Sequence, residues 1–315
     1  MFKKLLGLYY NLRFRYRDKF YPKDISNNFD KKTYAGKKYY DIESASDFMA
    51  EQIASGKPFM AARFGSVELF AMRTAEFCWK SKEDKVTEQL CTCAGFFPQD
   101  KAKLSRFNEV MKDGCAQLDM LGVWYQCAEE YFIKKYAKDI KGVCWLACLE
   151  PWYAKEPWTR ALKGKKVLIV HPFEESIKSQ LKNREKLFAN PDTLPECEFK
   201  TLKAVQTSGG QKDERFADWF DALQYMCDEI DKIDYDIALI GCGAYGFPLA
   251  AHCKKKGKQA VHVGGALQLF FGIKGKRWDE LEPKIVEMYN EYWNYPLDCE
   301  TPKNHSAVEG GTYWK

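Results

Sequence analysis

The stretch DIALIGCGAYGFPLAAHCKKKGKQAVHVGG, Asp236 to Gly265, decides how this chain is read. DIALIG is an apolar run of strand length, FPLAAHCKKK reads as a helix that Gly257 ends, and QAVHVGG is a second strand. Gly241, Gly243 and Gly246 stand between the first strand and the helix in the order G-x-G-x-x-G. In a β-α-β unit such glycines permit a tight turn, close approach of a phosphate and close packing of helix on strand, while the helix N-terminus offers unpaired N–H groups to an anion. A dinucleotide site also needs an acid about twenty residues further on to hold the ribose hydroxyls. Here that neighbourhood is His262, Val263, Gly264 and Gly265. The unit therefore reads as a site for a phosphate-bearing mononucleotide rather than a nicotinamide cofactor, the alternative being glycines that only turn the chain.

Outward from this unit, apolar runs alternate with amphipathic stretches. PFMAARFG (58–65) is a strand feeding the helix SVELFAMRTAEFCWK (66–80), and a helix-rich polar region follows to about residue 118. Strands are expected at MLGVWY, at GVCWLACLE and at KKVLIVHPF (165–173), then a helix at EESIKSQLKNREKLF, a strand at FKTLKAVQT and a long helix at DERFADWFDALQYMCDEIDKI. This alternation predicts an α/β fold: a Rossmann-like, mostly parallel sheet with helices on both faces, a helical insertion and an irregular C-terminal extension. The expected organisation is a basic aromatic arm at 1–44, the principal domain at 45–280, and a helix with a wrapping tail at 281–315.

Composition narrows the function classes. The chain has 315 residues, 46% of them hydrophobic and 30% charged, with a net charge of +5. That charge is too mild for a dedicated nucleic-acid binder but suits anionic ligands or surfaces. The 12 cysteines include no C-x-x-C pair and read as reduced thiols of a cytoplasmic protein. The first twenty residues hold six Lys/Arg and one acid, with no apolar run of the ~18 residues a membrane span needs. Phe2, Leu5, Leu6, Tyr9, Leu12 and Tyr16 recur at helical steps beside Arg13, Arg15, Arg17 and Lys19. Such a helix suits either packing on its own domain or peripheral contact with the inner membrane face.

RFGSVE (63–68), GKKVLIVHPF (164–173) and the long motif from Asp236 to Trp278 together resemble the GT-D-type glycosyltransferase family. The resemblance implies a nucleotide-sugar donor, typically a uridine diphosphate sugar, a divalent metal (Mn²⁺ or Mg²⁺), and a glycan acceptor in bacterial surface polysaccharide assembly. The family pattern R-[FY]-G-D-G-E carries a D-x-E metal motif; this chain has Ser66 and Val67 before Glu68, so the first carboxylate is missing. A hydroxyl is a weaker ligand for a hard cation. Ser66 and Glu68 also suit a helix cap and a first-turn acid. Arg63 is placed to fork onto a diphosphate, or into a surface ion pair.

The donor-binding set read from these motifs is Arg63, Gly65, Ser66, Gly241, Gly243, Tyr245, Gly246, His262, Gly264 and Gly265, with Glu68 as metal ligand. For catalysis the candidates are Glu68, Glu150 and His171, the last two at expected strand ends, with His262, Glu174 and Glu175 as further proton acceptors. Lys274, Lys276 and Arg277 form a basic turn placed to close over phosphates. Two other functions fit parts of the pattern: a nucleotide-sugar-binding or scaffolding protein without transfer activity, on the missing Asp, and a Rossmann-type oxidoreductase, on the glycine loop alone.

Overall fold

The computed structural model describes residues 2–20 and 32–315; Met1 and residues 21–31, part of the arm expected at 1–44, lie outside the described residues. Strands β1 (Thr33–Tyr34), β2 (Lys37–Tyr40), β3 (Phe59–Arg63), β4 (Met120–Val123), β5 (Gly142–Trp145), β6 (Lys166–His171), β7 (Glu198–Lys203), β8 (Ile237–Ile240) and β9 (Gln259–His262) form one sheet. Their order is β1-β2-β5-β4-β3-β9-β8-β6-β7. Only β1 and β2 pair antiparallel; the other neighbours are parallel.

Pleating divides each strand between two cores, because successive side chains point to opposite faces. Met60, Ala62, Leu168, Val170, Ala238 and Ile240 enter the first core. Their neighbours Phe59, Ala61, Val167, Ile169, Ile237 and Leu239 enter the second. Both faces being buried, the strands read as unbroken apolar runs, as parallel sheets require.

The longer helices are α1 (Phe2–Phe20), α2 (Ile42–Ala54), α3 (Ser66–Glu76), α4 (Glu83–Ala94), α5 (Leu104–Cys115), α6 (Glu129–Tyr136), α7 (Glu174–Leu181), α8 (Trp219–Asp231) and α9 (Gly246–Lys255); short helices Lys276–Leu281 and Pro283–Val286 follow. Helices α3 to α6, α8 and α9 cover the first face, and α2 and α7 the second. The 12 cysteines are free thiols.

Several expected elements are shorter, for local reasons. The run GVCWLACLE is a strand only as far as Trp145; Leu146–Leu149 is a 3-10 turn folded back across β4. Gly122 makes room for it, since a Cβ there would lie 2.8 Å from Leu149 Cδ1. Glu150 thus follows a turn, not a strand end. Helix α8 begins at Trp219 because the Asp218 carboxylate accepts from the amides of Phe220 and Asp221 at 2.9 and 3.1 Å. Helix α3 is capped by Gly65, with no side-chain cap, so Ser66 is its first residue rather than its cap. The acid Glu68 does stand in the first turn.

The glycine loop winds directly into a 3-10 turn, Gly243–Tyr245, ahead of α9. Gly243 has φ +55, which disfavours other residues, and a Cβ there would meet the Ala94 carbonyl oxygen at 2.7 Å. Gly246 packs flat on the His262 ring, where a Cβ would lie 2.2 Å from Cε1. Gly246→Ala should therefore displace His262 and cost ~1–3 kcal/mol by overpacking, read by urea unfolding; unchanged stability would mean that this close packing is not what demands a glycine.

A buried carboxylate ties the helices of the first face together. Glu76, at the end of α3, accepts from Tyr131 Oη at 2.7 Å, Lys135 Nζ at 2.9 Å and Tyr136 Oη at 2.9 Å. Burial alone raises its pKa, but these donors outweigh it and hold the group at about 2, below the usual 4.5. A depressed carboxylate stabilises above its unfolded pKa and loses that contribution as pH falls through the folded value. Wild type should thus exceed Glu76→Gln by ~3 kcal/mol near neutrality, and denaturant titrations should find that margin shrinking from pH 4.5 towards pH 2.

Candidate functional site

The chain leaves neighbouring strands towards alternate faces. From β3 it enters α3 and from β8 it enters α9, both on the first face. From β9 it enters the helical turn Gly264–Phe271 and from β6 it enters α7, both on the second. Diverging exits open a crevice at the carboxyl ends of the strands, where open α/β sheets bind ligands. A cavity of about 290 Å³ lies there, at the lower end of the ~300–1,000 Å³ usual for small-molecule sites.

Both glycine-bearing turns face it. Arg63, Gly65, Ser66, Glu68, His171, Gly241, Gly243, Tyr245, His262, Gly264 and Gly265 line the cavity, while Gly246 and Glu150 are not among its lining residues. Gly241 lies close under the opposite turn, 2.6 Å separating a Cβ there from the Gly264 carbonyl oxygen. Tyr245 belongs to the supporting wall: its hydroxyl meets Thr207 Oγ1 at 3.2 Å and its ring stacks on Trp219 at 5.1 Å.

Arg63 is the cation that the first glycine turn brings to the site. It sits half-buried at the end of β3, with Nε and Nη2 donating to the Phe64 carbonyl at 3.3 and 3.2 Å. The guanidinium lies 5.0 Å from the Trp124 ring centroid. Trp124 is fixed in turn by its indole N–H, which donates to the Phe64 carbonyl at 3.1 Å. No carboxylate forms an ion pair with Arg63 among the described residues, so the surface-pair alternative does not apply. Burial lowers its pKa, and Tyr313 and Glu68 offset this only from a distance. A desolvated cation held by neutral partners favours an incoming anion.

Two histidines flank Gly241, on the strands either side of β8, and their tautomers differ. His171 Nδ1 accepts from the Phe173 amide at 3.0 Å, so the neutral ring carries its proton on Nε2 and presents a donor. His262 Nδ1 lies 3.1 Å from the Ile240 carbonyl oxygen, to which it must donate, leaving a lone pair on Nε2. Burial pushes His171 down to about 3. Burial, helped by Arg63, does the same to His262, so both rings stay neutral across the physiological range.

The carboxylates are not equivalent. Glu68 is raised by burial, with Glu309 adding to the shift and Arg63 opposing it. Glu150 is pushed up to about 8, by burial and then by Glu282, and so carries its proton at neutral pH. Glu174 accepts from Thr201 Oγ1 at 2.7 Å and Glu175 pairs with Lys178 at 3.0 Å. Neither lines the cavity.

For a divalent cation, the wall offers the carboxylates of Glu68 and Glu309. Ser66 is exposed and supplies only a neutral hydroxyl. No group of three or more His, Cys, Asp and Glu residues suited to a metal occurs among the described residues. This donor set fits a cation completed by ligand phosphates and water, not one caged by protein alone.

The remaining wall comes from segments the sequence left as turns and tail. Of the basic turn, only Arg277 reaches the cavity; Lys276 faces Glu280 and Lys274 lies over Tyr289. Val308, Glu309, Tyr313 and Trp314 close one side. The tail is held by the amides of Lys276 and Arg277, which donate to the carbonyls of Trp314 and Thr312 at 2.8 and 3.0 Å. Gln268 Nε2 donates to the Tyr313 carbonyl at 3.2 Å, while its Oε1 has no partner among the described residues. Trp124, Gln268 and Glu309 were not singled out in sequence; the aromatics Tyr313 and Trp314, half-buried and buried, were the one local sign that the tail packs down.

A family model, the GT-D fold-like domain, matches residues 41–270. A solved structure described as the highly conserved domain of unknown function 1792, with a distinct glycosyltransferase fold, is 15% identical over 84% of this chain and 93% of that chain, with a TM-score of 0.39. A selenomethionine-substituted structure of domain of unknown function 1792 is 16% identical over 84% and 93%, with a TM-score of 0.37. No curated protein matches the chain. With strands β3 to β9, the glycine turns and the cavity-lining Arg63 all inside the matched span of residues 41–270, the chain belongs to the GT-D-like family.

Proposed function

We propose that this chain is a glycosyltransferase that moves a sugar from a nucleotide diphosphate sugar, of the uridine class implied by the family resemblance, to a glycan acceptor in bacterial surface polysaccharide assembly on the cytoplasmic side. The observation that carries this reading is Arg63: a half-buried guanidinium with no ion-pair partner among the described residues, facing a cavity that both glycine turns also line. A diphosphate supplies the missing charge. Arg277 lines the same cavity, 3.8 Å from Glu309, and is a second guanidinium to share the negative charge that grows on the leaving diphosphate. A divalent cation bound with the donor would add charge neutralisation, with Glu68 and Glu309 as its anionic protein ligands.

In the transfer, the acceptor oxygen forms a bond to the anomeric carbon while the bond from that carbon to the diphosphate oxygen breaks. The electron pair leaves with the nucleoside diphosphate. We assign the acceptor's proton to the His262 Nε2 lone pair, whose basicity, lowered by burial, the negative charge of a bound diphosphate raises, and a hydrogen bond to donor oxygens to His171 Nε2–H. Glu150, protonated at neutral pH and outside the lining, is not assigned that proton. Ser66 in place of the family's Asp supports a second reading, a protein that binds nucleotide sugars without transferring them. For the oxidoreductase reading nothing comparable stands: β9 ends in His262, where a dinucleotide site needs an acid.

Titration calorimetry with uridine diphosphate should show Arg63→Ala binding ~10- to 100-fold more weakly, with the thermal midpoint only slightly lowered, since the Phe64 carbonyl contacts and the Trp124 stacking are lost but no ion pair is. Equal affinity would remove the diphosphate assignment. His262→Asn keeps an N–H for the Ile240 carbonyl and loses Nε2, so it should retain donor affinity while kcat for transfer or donor hydrolysis falls ~100-fold. Binding without turnover in the wild type would favour the second reading. Because burial holds both histidines at about 3, neither should produce an acid limb in the kcat/KM profile between pH 5 and 8, and a limb abolished by His262→Asn would contradict the neutral state that burial imposes on His262.

A further inference from the structure

Helix α1 meets the domain with one side and leaves an apolar side outward. Leu6, Tyr10 and Phe14 pack on the first core. Gly7 presses against Phe77, where a Cβ would come within 2.7 Å of the Phe77 side chain. On the other side Phe2, Leu5, Leu8, Tyr9 and Leu12 remain 77, 58, 51, 52 and 56% exposed. At 3.6 residues per turn these five fall within an arc of about 120°. Five large apolar side chains on one arc are a patch, not scattered exposure.

The rim of that arc is basic. Lys4 and Arg15 border one edge, both exposed and without an ion-pair partner among the described residues. Arg13 borders the other, paired with Glu130 at 2.9 Å. The helix carries six cations and a single acid, Asp18. A second copy of the chain would bring a like-charged rim against this one; a negatively charged bilayer complements it. No helix among the described residues is long and apolar enough to cross a membrane, so α1 suits the interfacial plane.

We propose that α1 docks this protein on an anionic lipid surface, its outward leucines and aromatics in the headgroup boundary and its basic rim against acidic lipids. The helix also touches the site's support: Arg17 donates to the carbonyl of Tyr125, next in sequence to the cavity residue Trp124. This inference does not depend on sugar transfer.

Flotation of the full chain with vesicles tests it. Vesicles of phosphatidylcholine with about 30% phosphatidylglycerol should carry the protein, pure phosphatidylcholine vesicles several-fold less, and added salt should release it. Leu5→Glu with Leu12→Glu should cut the bound fraction about tenfold and leave the thermal midpoint in place, since both side chains are exposed. Lys4→Gln with Arg15→Gln should weaken binding to the anionic vesicles only. Absence of flotation in the wild type, or equal flotation of the leucine variant, would overturn the proposal. So would a concentration-dependent dimer in sedimentation that the leucine pair abolishes without any vesicle binding, which would assign the face to a second copy.

Discussion

Four parallel strands, β3, β9, β8 and β6, lie side by side and discharge the chain to alternate faces of the sheet, and the site exists because of that divergence. Turns leaving in opposite directions cannot cover the strand ends between them, so the carboxyl edge stays open. The same geometry brings the turns after β8 and β9 so close that Gly241 lies under the Gly264 carbonyl and Gly246 under the His262 ring. Small residues are demanded there by protein packing first. Any phosphate that enters meets a wall already shaped by backbone meeting backbone.

Electrostatics follow from the same enclosure. Desolvation keeps both histidines neutral, lifts Glu68 and leaves Arg63 without a close counter-charge. The cavity therefore holds fixed donors and acceptors, the carboxylates of Glu68 and Glu309, and positive charge at the end of β3 and at Arg277, which lies 3.8 Å from Glu309. In surroundings of low dielectric such preorganised charge acts more strongly on a diphosphate than it would in water. Ser66 puts a neutral hydroxyl, not a carboxylate, on this wall.

The cavity is not complete within the span that the family model matches, residues 41–270. Arg277, Glu309, Tyr313 and Trp314 come from the chain beyond it, strapped down by backbone hydrogen bonds. The tail is also clamped from below: the Glu300 carboxylate accepts from the amides of Glu175 and Ser176 at 2.7 and 3.1 Å, capping α7. Segments at both ends thus add to the shared sheet, one closing the site and the other presenting an apolar helical face.

The β-α-β unit from Asp236 to Gly265 and the parallel sheet were legible in sequence, because apolar runs, helical period and glycine placement are local properties that packing reinforces; that the two glycine turns share one cavity was decided by the fold. Other features required the tertiary structure. An apolar run does not distinguish a strand from a buried 3-10 turn, so the fate of Leu146–Leu149, and with it the position of Glu150, depended on the gap left by Gly122. The motif G-x-G-x-x-G does not say whether a missing side chain makes room for ligand or for protein, and Gly246 makes room for His262. Which nitrogen of each histidine is free depended on one backbone amide and one carbonyl. Glu309 joined Glu68 only because the tail returns across the sheet, and no local pattern encodes a contact between residues so far apart in the chain.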